Sequence, residues 1–373
     1  MRLYLFILGL ASTVLALQNL GVSLVPSGSG FSVVERDLSS SVGGLTDTNL
    51  VWVAANSLSI AELGTMASPY KDIVTGITNG FGKTVMVCPG SYTIGVENEV
   101  FASEFKERTI IRGLSKNPRD TRILIANYTQ LIAATTPPSI TFENLQFCST
   151  NNVWGGGFIS SPTADGLTCI NCIFESCLKY NMADNQGNTV GSGTFIDCQF
   201  YNCGVFDDTY QVYDTEVGVL NNSVVKNCIF TNCFMLPSGL GYRYGVGYGI
   251  DVSDSTFISC TADAGGALGD SNVRNSKFFD CTAVTGGAAI YNQYATKSIS
   301  GCLFTNCVGY SSVRIDLGGT LIGSCFISSS KLTMASGVVS RTGFKYTDTF
   351  INPGNAMMLG CATNTGFCSE YKP

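Results

Sequence analysis

The chain has 373 residues, of which 21 are lysine or arginine and 27 are aspartate or glutamate, so its formal net charge is −6. A negative chain with only 13% charged residues lacks the basic surface that nucleic acid requires. The absence of histidine excludes a histidine base, a Ser–His or Cys–His pair and a histidine-bound metal. A hydrophobic content of 45% excludes a disordered chain.

The N-terminus has the pattern of a secretory signal peptide. A basic residue precedes the apolar run 3–10, and Ala16 ends a stretch that is typical of a cleavage site. We therefore predict a signal peptide at 1–16 and a protein that is secreted, extracellular or at the cell surface. No later segment has the run of about 18 apolar residues that a membrane span needs. The sequons at Asn127 and Asn221 predict N-glycosylation on that route.

The segment that precedes the central repeats is predicted to cap the fold. Apolar residues follow a weak helical period over 58–77, and 82–94 has the pattern of a strand, a Pro-Gly turn and a second strand. A solenoid needs a cap over its open core, and we expect this helix to supply it. The predicted organisation is a signal peptide at 1–16, an N-terminal extension at 17–57, a cap helix and first strands at 58–94, a parallel β-helix at 95–345 and a tail at 346–373.

A repeat centred on phenylalanine runs through the middle of the chain. Most copies read Asn/Asp-x-x-Phe-x-x-Cys, and a Gly-Gly pair follows three of the phenylalanines at a distance of eight residues. Each repeat is too short to bury a core alone, so neighbouring repeats must stack. The intervals between the phenylalanines are 27, 26, 30, 27, 21, 26 and 22 residues. The phenylalanines are Phe147, Phe174, Phe200, Phe230, Phe257, Phe278, Phe304 and Phe326.

A parallel β-helix accounts for this repeat better than other all-β folds. The Cys-x-Phe segment alternates as a strand does, and like residues would form inward ladders at a rung spacing of about 4.8 Å. An antiparallel sandwich predicts turns about every 8–12 residues, and a propeller predicts blades of about 40 residues. Neither alternative explains a phenylalanine every 21 to 30 residues.

Two sequence features also indicate a known family. The strand–turn–strand at 82–94 is similar to the entrance at which many pectin-lyase-like proteins start their coil. The Gly-Gly-Ala turns at 265–267 and 286–288, with Phe-Thr-Asn-Cys, are similar to the repeats of chlamydial polymorphic outer-membrane proteins. The chain thus resembles the right-handed parallel β-helix (pectin-lyase-like) superfamily. The resemblance implies an all-β right-handed parallel β-helix solenoid with an N-terminal capping helix, a fold that enzymes, adhesins and structural proteins share.

Ten of the sixteen cysteines lie two residues before or three residues after a repeat phenylalanine. In these positions they form either a buried column of small apolar side chains or, in an exported protein, a disulfide framework. Cys361 and Cys368 are predicted to form a disulfide clasp on the tail. No metal site is predicted from the cysteines, because Cys-x4-Cys at these intervals fits a ladder better than a zinc site.

The densest cluster of acidic and aromatic residues lies at 207–216. Adjacent carboxylates raise one another's pKa or bind calcium. The candidate catalytic residues are Asp207, Asp208, Asp214 and Arg243. Counting thirteen or fourteen residues beyond each repeat phenylalanine predicts one external ligand-binding ridge, made of Tyr213, Arg243, Tyr244, Asp270 and Tyr291. The pair Arg314 and Asp316 is predicted to be a structural surface ion pair.

Three functions fit these observations, and the third of them is a module that assembles end to end through its open coil. The first is a secreted extracellular β-helix protein with a structural, adhesive or glycan-binding role and no catalysis, whose partner is an extracellular polysaccharide or a surface protein. The low charge and the lack of a convergent catalytic set favour this function. The second, implied by the resemblance, is a polysaccharide lyase or another carbohydrate-active enzyme acting on acidic polysaccharide. Lyases of this fold use an arginine or lysine base, commonly with calcium, which is the one cofactor that the resemblance implies.

Overall fold

The structure is a computed structural model that describes residues 22–27, 30–35, 49–94, 108–125, 132–133, 139–149, 159–160, 166–179, 192–205, 218–235, 243–293, 296–329, 332–340, 342–345, 355–359 and 362–363. The chain divides into two compact units, Met1–Leu50 and Val51–Pro373. In the first unit, the strands Val22–Ser27 and Gly30–Glu35 pair antiparallel. The predicted signal peptide at 1–16 lies outside the described residues.

The second unit is a solenoid of parallel strands, which confirms the parallel β-helix predicted from the repeat. A complete turn passes through four sheets in the order IV, I, II and III. Sheet I contains Leu50–Val53, Thr84–Val87, Thr109–Gly113, Ile140–Glu143, Leu167–Ile170, Thr194–Ile196, Val224–Lys226, Asp251–Ser253, Asn272–Arg274, Lys297–Ser300, Gly319–Ile322, Ser336–Ser340 and Asn355–Leu359.

The other sheets follow the same coil. Sheet II contains Gly90–Ile94, Thr121–Ile125, Gln146–Ser149, Ile173–Glu175, Gln199–Tyr201, Ile229–Thr231, Thr256–Ile258, Lys277–Phe279, Leu303–Thr305, Cys325–Ile327, Gly343–Lys345 and Ala362–Thr363. Sheet III contains Leu178–Lys179, Gly204–Val205, Phe234–Met235, Thr261–Ala262 and Thr282–Ala283. Sheet IV contains Leu220–Asn221, Gly247–Tyr248, Leu268–Gly269, Gly287–Asn292, Ser311–Ile315 and Leu332–Met334. A further pair joins Ile132–Ala133 to Ile159–Ser160. Paired strands therefore occur both before 95 and after 345.

The repeat phenylalanines form one inward ladder in sheet II. Phe230 lies opposite Phe200 on one side and Phe257 on the other. Successive rings along the ladder stack with centroids between 4.5 and 5.2 Å apart. All eight side chains are fully buried. Since the stacked rings span sheet II from rung to rung, they form the continuous core of the coil.

Eight of the corners that join sheet I to sheet II are tight and contain one residue in the left-handed backbone region. Asparagine and aspartate tolerate this region better than other side-chain-bearing residues. Their side chains also bond along the column, as Asn227 Nδ2 does to Asp197 Oδ1 at 2.6 Å. The column holds Asn144, Asn171, Asp197, Asn227, Asp254, Asn275, Gly301 and Gly323, with φ between 49° and 59°.

The ten repeat cysteines are buried free thiols beside the corners at the two ends of the sheet II strands, so the ladder consists of columns of small side chains and is not a disulfide framework. The Cys198 Sγ donates to the Ile196 carbonyl at 3.3 Å, and the Cys198 N–H donates to Cys228 Sγ at 3.4 Å. Serine does the same in the next rung, where the Cys228 N–H donates to Ser255 Oγ at 3.1 Å. Burial raises the pKa of the Cys302 thiol to about 12.

The cap contains a helix at Ile73–Thr78, which is shorter than the helix predicted over 58–77. Asp72 caps it by accepting a hydrogen bond from the Thr75 N–H at 2.7 Å. Ile73 and Ile77 are buried in the core of the first rungs. The residues before Asp72 form turns instead, and Leu58 is 97% exposed. Serine side chains compete with helix formation there, as in the bond from the Ser59 N–H to Ser57 Oγ. None of the described helices is long and apolar enough to cross a membrane.

Candidate functional site

Several residues proposed from the sequence fall outside the part of the chain that the structure describes. They are Asp207, Asp208, Tyr213 and Asp214 of the acidic cluster, Asn127 of the first sequon, and Cys361 and Cys368 of the proposed clasp. Asn221, of the second sequon, ends a strand of sheet IV and is partly exposed. Glycosylation at both sequons stays a prediction.

The four remaining candidates do not form an external ridge. Arg243, Tyr244, Asp270 and Tyr291 are at most 3% exposed, so the predicted exposure of this set is wrong. Their predicted alignment also fails, because Tyr291 lies opposite Gly269 and not opposite Asp270. The segments that lead into sheet IV differ in length from turn to turn. Counting a fixed number of residues from the phenylalanine ladder therefore loses register before it reaches this sheet.

Asp270 is a corner residue. It has a φ of 38° and lies between sheets IV and I, at the corner position that Asn222 and Gly249 occupy in the preceding turns. Its Oδ1 accepts a hydrogen bond from the Gln293 N–H at 2.6 Å. Because this carboxylate is buried and bonded to backbone, its role is to hold the corner.

Tyr244 is a packing residue. Its ring covers Gly269, where an added Cβ would lie only 2.1 Å from the Tyr244 Cε1. It stacks on Tyr248 with ring centroids 5.4 Å apart and forms a small core cluster with Ala264 and Tyr291. Because Gly269 has no side chain, it leaves room for the Tyr244 ring to pack against sheet IV.

The cluster continues to the surface at Tyr291, Tyr310, Arg314 and Asp316, which we call the tyrosine–arginine site. Arg314 lies opposite Tyr291 on the neighbouring strand of sheet IV. Its Cζ is 4.8 Å from the centroid of the Tyr291 ring and 5.6 Å from that of Tyr310. Arg314 Nε donates to Asp316 Oδ1 at 3.0 Å, and the Tyr291 hydroxyl donates to Asp316 Oδ2 at 2.8 Å. Each of the four side chains thus contacts at least one other side chain of the site.

The site combines charge with accessible aromatic surface. Tyr310 is 53% exposed, while the Arg314 and Asp316 side chains are about one-third exposed. Partial burial alone would lower the pKa of Arg314, but the hydrogen bond and the charge of Asp316 raise it. The guanidinium therefore stays charged at any physiological pH. An exposed ring beside fixed hydrogen-bonding groups can stack on one face of a sugar and bond its hydroxyl or carboxylate groups.

The sequence analysis found part of this site. The ion pair between Arg314 and Asp316 is present, as expected, at 3.0 Å. Its contacts with Tyr291 and Tyr310 were missed, because they cross from one turn of the coil to the next. The alternation of Arg314, Ile315 and Asp316 does indicate two outward side chains. Only the strand register shows that a tyrosine lies beside them.

Calcium has no candidate site among the residues that the structure describes, since these contain no group of three or more carboxylate or cysteine ligands. The proposed calcium ligands at 207–216 lie in a segment that the structure does not describe. Calcium binding therefore stays a prediction that rests on the sequence.

No family model matches the chain, and no curated protein matches it. Among solved structures, a mannuronic acid specific polysaccharide family 6 lyase from human gut microbiota is 12% identical, with a TM-score of 0.42 over 84% of this chain and 78% of that chain. The Azotobacter vinelandii mannuronan C-5 epimerase AlgE6 A-module is 11% identical, with a TM-score of 0.38 over 79% and 96%. The bacteriophage CBA120 tailspike protein 3 is 12% identical, with a TM-score of 0.39 over 90% and 64%. Similarity at this level supports no conclusion about the site. The fold is assigned from the register of the strands in this structure.

Proposed function

We propose that this protein is an extracellular β-helix protein that binds glycans without catalysis at the tyrosine–arginine site. The observation that carries the proposal is the arrangement around Arg314, which contacts Tyr291 and Tyr310 and is bonded to Asp316. Tyr291 and Arg314 lie on neighbouring strands of a parallel sheet, and Tyr310 and Asp316 flank the strand of Arg314, so a rigid scaffold holds the site. Recognition of a sugar requires such a surface, with an aromatic face and a few fixed polar groups.

The same geometry favours binding over catalysis. Arg314 would have to lose its proton to act as a base, and Asp316 stabilises the protonated form. Arg243, the arginine proposed as a catalytic residue from the sequence, is 3% exposed, which leaves almost none of it for a polymer at the surface. The alternative of a polysaccharide lyase therefore depends on Asp207, Asp208 and Asp214.

Variants of the site test the proposal. The chain from residue 17, produced through an oxidising secretory route, is screened on a glycan array, and affinities for the ligands found are then measured. Tyr310→Ala and Arg314→Gln are expected to weaken binding at least about tenfold, or ~1.4 kcal/mol. Lys226→Gln is the matched control for Arg314→Gln, because Lys226 is an exposed cation on sheet I. Equal affinity for the wild type and both site variants would contradict the proposal.

An activity screen separates the two functions. The same protein is incubated with pectate, alginate and glycosaminoglycans, with calcium or with a chelator, and unsaturated uronate and reducing ends are followed. We expect no product from the folded protein. Product that depends on calcium and is lost in Asp207→Asn or Asp214→Asn would establish the lyase instead.

A further inference from the structure

Charged, amide and aromatic side chains lie together on the outer face of sheet II in its first rungs. Arg122 and Gln199 belong to one outward column of this sheet, and Glu175 and Tyr201 lie opposite each other in the next column. Arg119 reaches the same face from the 3-10 helix Pro118–Asp120, immediately before the strand of Arg122. We call Arg119, Arg122, Glu175, Gln199 and Tyr201 the sheet II site.

Arg119 is held in place by its loop and by two side chains. The loop extends along the coil, because the Lys116 carbonyl accepts a hydrogen bond from Asn171 Nδ2 at 2.9 Å, two rungs further on. The Arg119 Cζ lies 5.8 Å from the centroid of the Tyr201 ring, and its Nη1 is 3.9 Å from Glu175 Oε2. The Arg119 side chain is still 51% exposed. A guanidinium packed on a ring in this way keeps N–H groups at its edge for a ligand.

The polar groups beside Arg119 also have fixed positions. Glu175 Oε2 accepts a hydrogen bond from Nε2 of Gln146, a residue that is 2% exposed. The Tyr201 hydroxyl donates to Gln199 Oε1 at 2.6 Å. In the part of the chain that the structure describes, no group donates to Glu175 Oε1, so this oxygen can accept from a hydroxyl group of a ligand. Because these contacts are formed before a ligand arrives, little order has to be created on binding.

The sheet II site has an excess of positive charge. Arg119 and Arg122 contribute two cations, whereas Glu175 contributes one anion. Asp120 is bonded within its own loop, where its Oδ2 accepts a hydrogen bond from Ser115 Oγ at 2.6 Å. The chain as a whole has a net charge of −6. A local excess of cations on a negative protein favours a ligand that carries anionic groups.

The sheet II site and the tyrosine–arginine site are separate. Around the coil, sheet I lies between sheets IV and II in one direction and sheet III lies between them in the other. Along the coil, the strand of Tyr291 leads to Leu303–Thr305 in sheet II, which is four rungs beyond Gln199–Tyr201, or about 19 Å at ~4.8 Å per rung. A short oligosaccharide therefore contacts one site and not both, and the two sites can be tested independently.

We propose that the sheet II site binds acidic glycans, with Arg119 and Arg122 on the carboxylate groups of uronate sugars and Glu175 on their hydroxyl groups. A carboxylate accepts two parallel N–H bonds from one guanidinium, which adds directional selectivity to the attraction between the charges. The inference rests on the proposed function, because it names the kind of glycan that the protein recognises. It uses no residue of the tyrosine–arginine site.

Affinities for short oligosaccharides of pectate, alginate and hyaluronan test the proposal, each measured as the free carboxylate and as its methyl ester. The wild type should bind at least one carboxylate form at least about tenfold more tightly than the ester, because the ester has no charge to pair with arginine. Arg119→Gln should lose at least about tenfold in affinity for that carboxylate form and little for the ester. Lys277→Gln is the matched control and should keep the wild-type affinity, because it removes a partly exposed cation of sheet II outside the site.

The results that would overturn this proposal differ from those that would overturn the proposed function. No wild-type binding to any carboxylate form, equal affinity for acid and ester, or an unchanged affinity in Arg119→Gln would each contradict an acidic-glycan site on sheet II. Polyglutamate that binds as tightly as the oligosaccharides, and that Arg119→Gln no longer binds, would assign the site to acidic peptides instead. The proposed function fails when Tyr310→Ala and Arg314→Gln leave the affinity for every glycan unchanged. Circular dichroism establishes that each variant is folded before affinities are compared.

Discussion

At the scale of single residues, the corner positions select a small side chain that can both donate and accept one hydrogen bond. Cys228 accepts from the N–H of Cys198 in the previous rung and donates to the Lys226 carbonyl. Ser276 accepts from the Ser255 N–H at 3.2 Å and donates to the Arg274 carbonyl at 2.8 Å. Serine and cysteine are therefore interchangeable here, which explains why serine replaces cysteine in several copies of the repeat.

The buried thiols should make the coil less stable at alkaline pH. The folded-state pKa of Cys302, about 12, lies above its ordinary value of 9.0, so this stabilisation is complete below pH 9.0 and is lost as the pH rises towards 12. For one thiol the loss by pH 10 is about 1.4 kcal/mol. Cys302→Ser should keep the corner bonds and show a smaller loss between pH 7.5 and 10, measured by urea unfolding. An equal loss in both proteins would refute this assignment.

At the scale of the elements, the corners determine where each strand ends and the next begins. Eight of the corners between sheets I and II contain one residue with φ near 50°, and asparagine or aspartate occupies six of these eight positions. Gly301 and Gly323 complete the column. The Asn or Asp that precedes six of the eight repeat phenylalanines by three residues is thus the turn residue. This is why the repeated motif begins in the corner, before the strand.

Gly323 is the position at which this explanation can be tested. It has a φ of 59°, and nothing lies within 4 Å of an added Cβ. Gly323→Asn should therefore leave the free energy of unfolding within about 0.5 kcal/mol of the wild type, because asparagine tolerates this conformation. Gly323→Val should lose about 1–2 kcal/mol, because a β-branched side chain does not. Chemical denaturation of both variants measures the difference, and similar values for the two would argue against backbone conformation as the cause.

At the scale of the whole molecule, the sequence predicts the neighbours of residues that recur at matching positions in the repeat. It does not predict the neighbours of residues that follow loops of variable length. The phenylalanine ladder was predicted because Phe-x-x-Cys recurs within a strand and its corner, where no insertion occurs. The tyrosine–arginine site was only partly predicted, because Tyr291 and Arg314 become neighbours through a register that depends on the preceding loops. The cap helix was predicted too long, because serine-rich turns outweighed a weak apolar period.

The stacked phenylalanines also predict how far the effect of one substitution extends along the coil. Phe257 stacks on Phe230 at 4.9 Å and on Phe278 at 4.7 Å, so Phe257→Ala removes contacts with both neighbouring rungs. The expected loss of stability is about 3–5 kcal/mol. Since each rung contacts only its neighbours, hydrogen exchange should accelerate most in the rungs of these three phenylalanines and least around Ile123. Val284→Ala, at a side chain that is 62% exposed, is the control and should cost less than about 0.5 kcal/mol. Uniform acceleration along the coil would mean that the solenoid unfolds as one cooperative unit, and the nearest-neighbour description would be wrong.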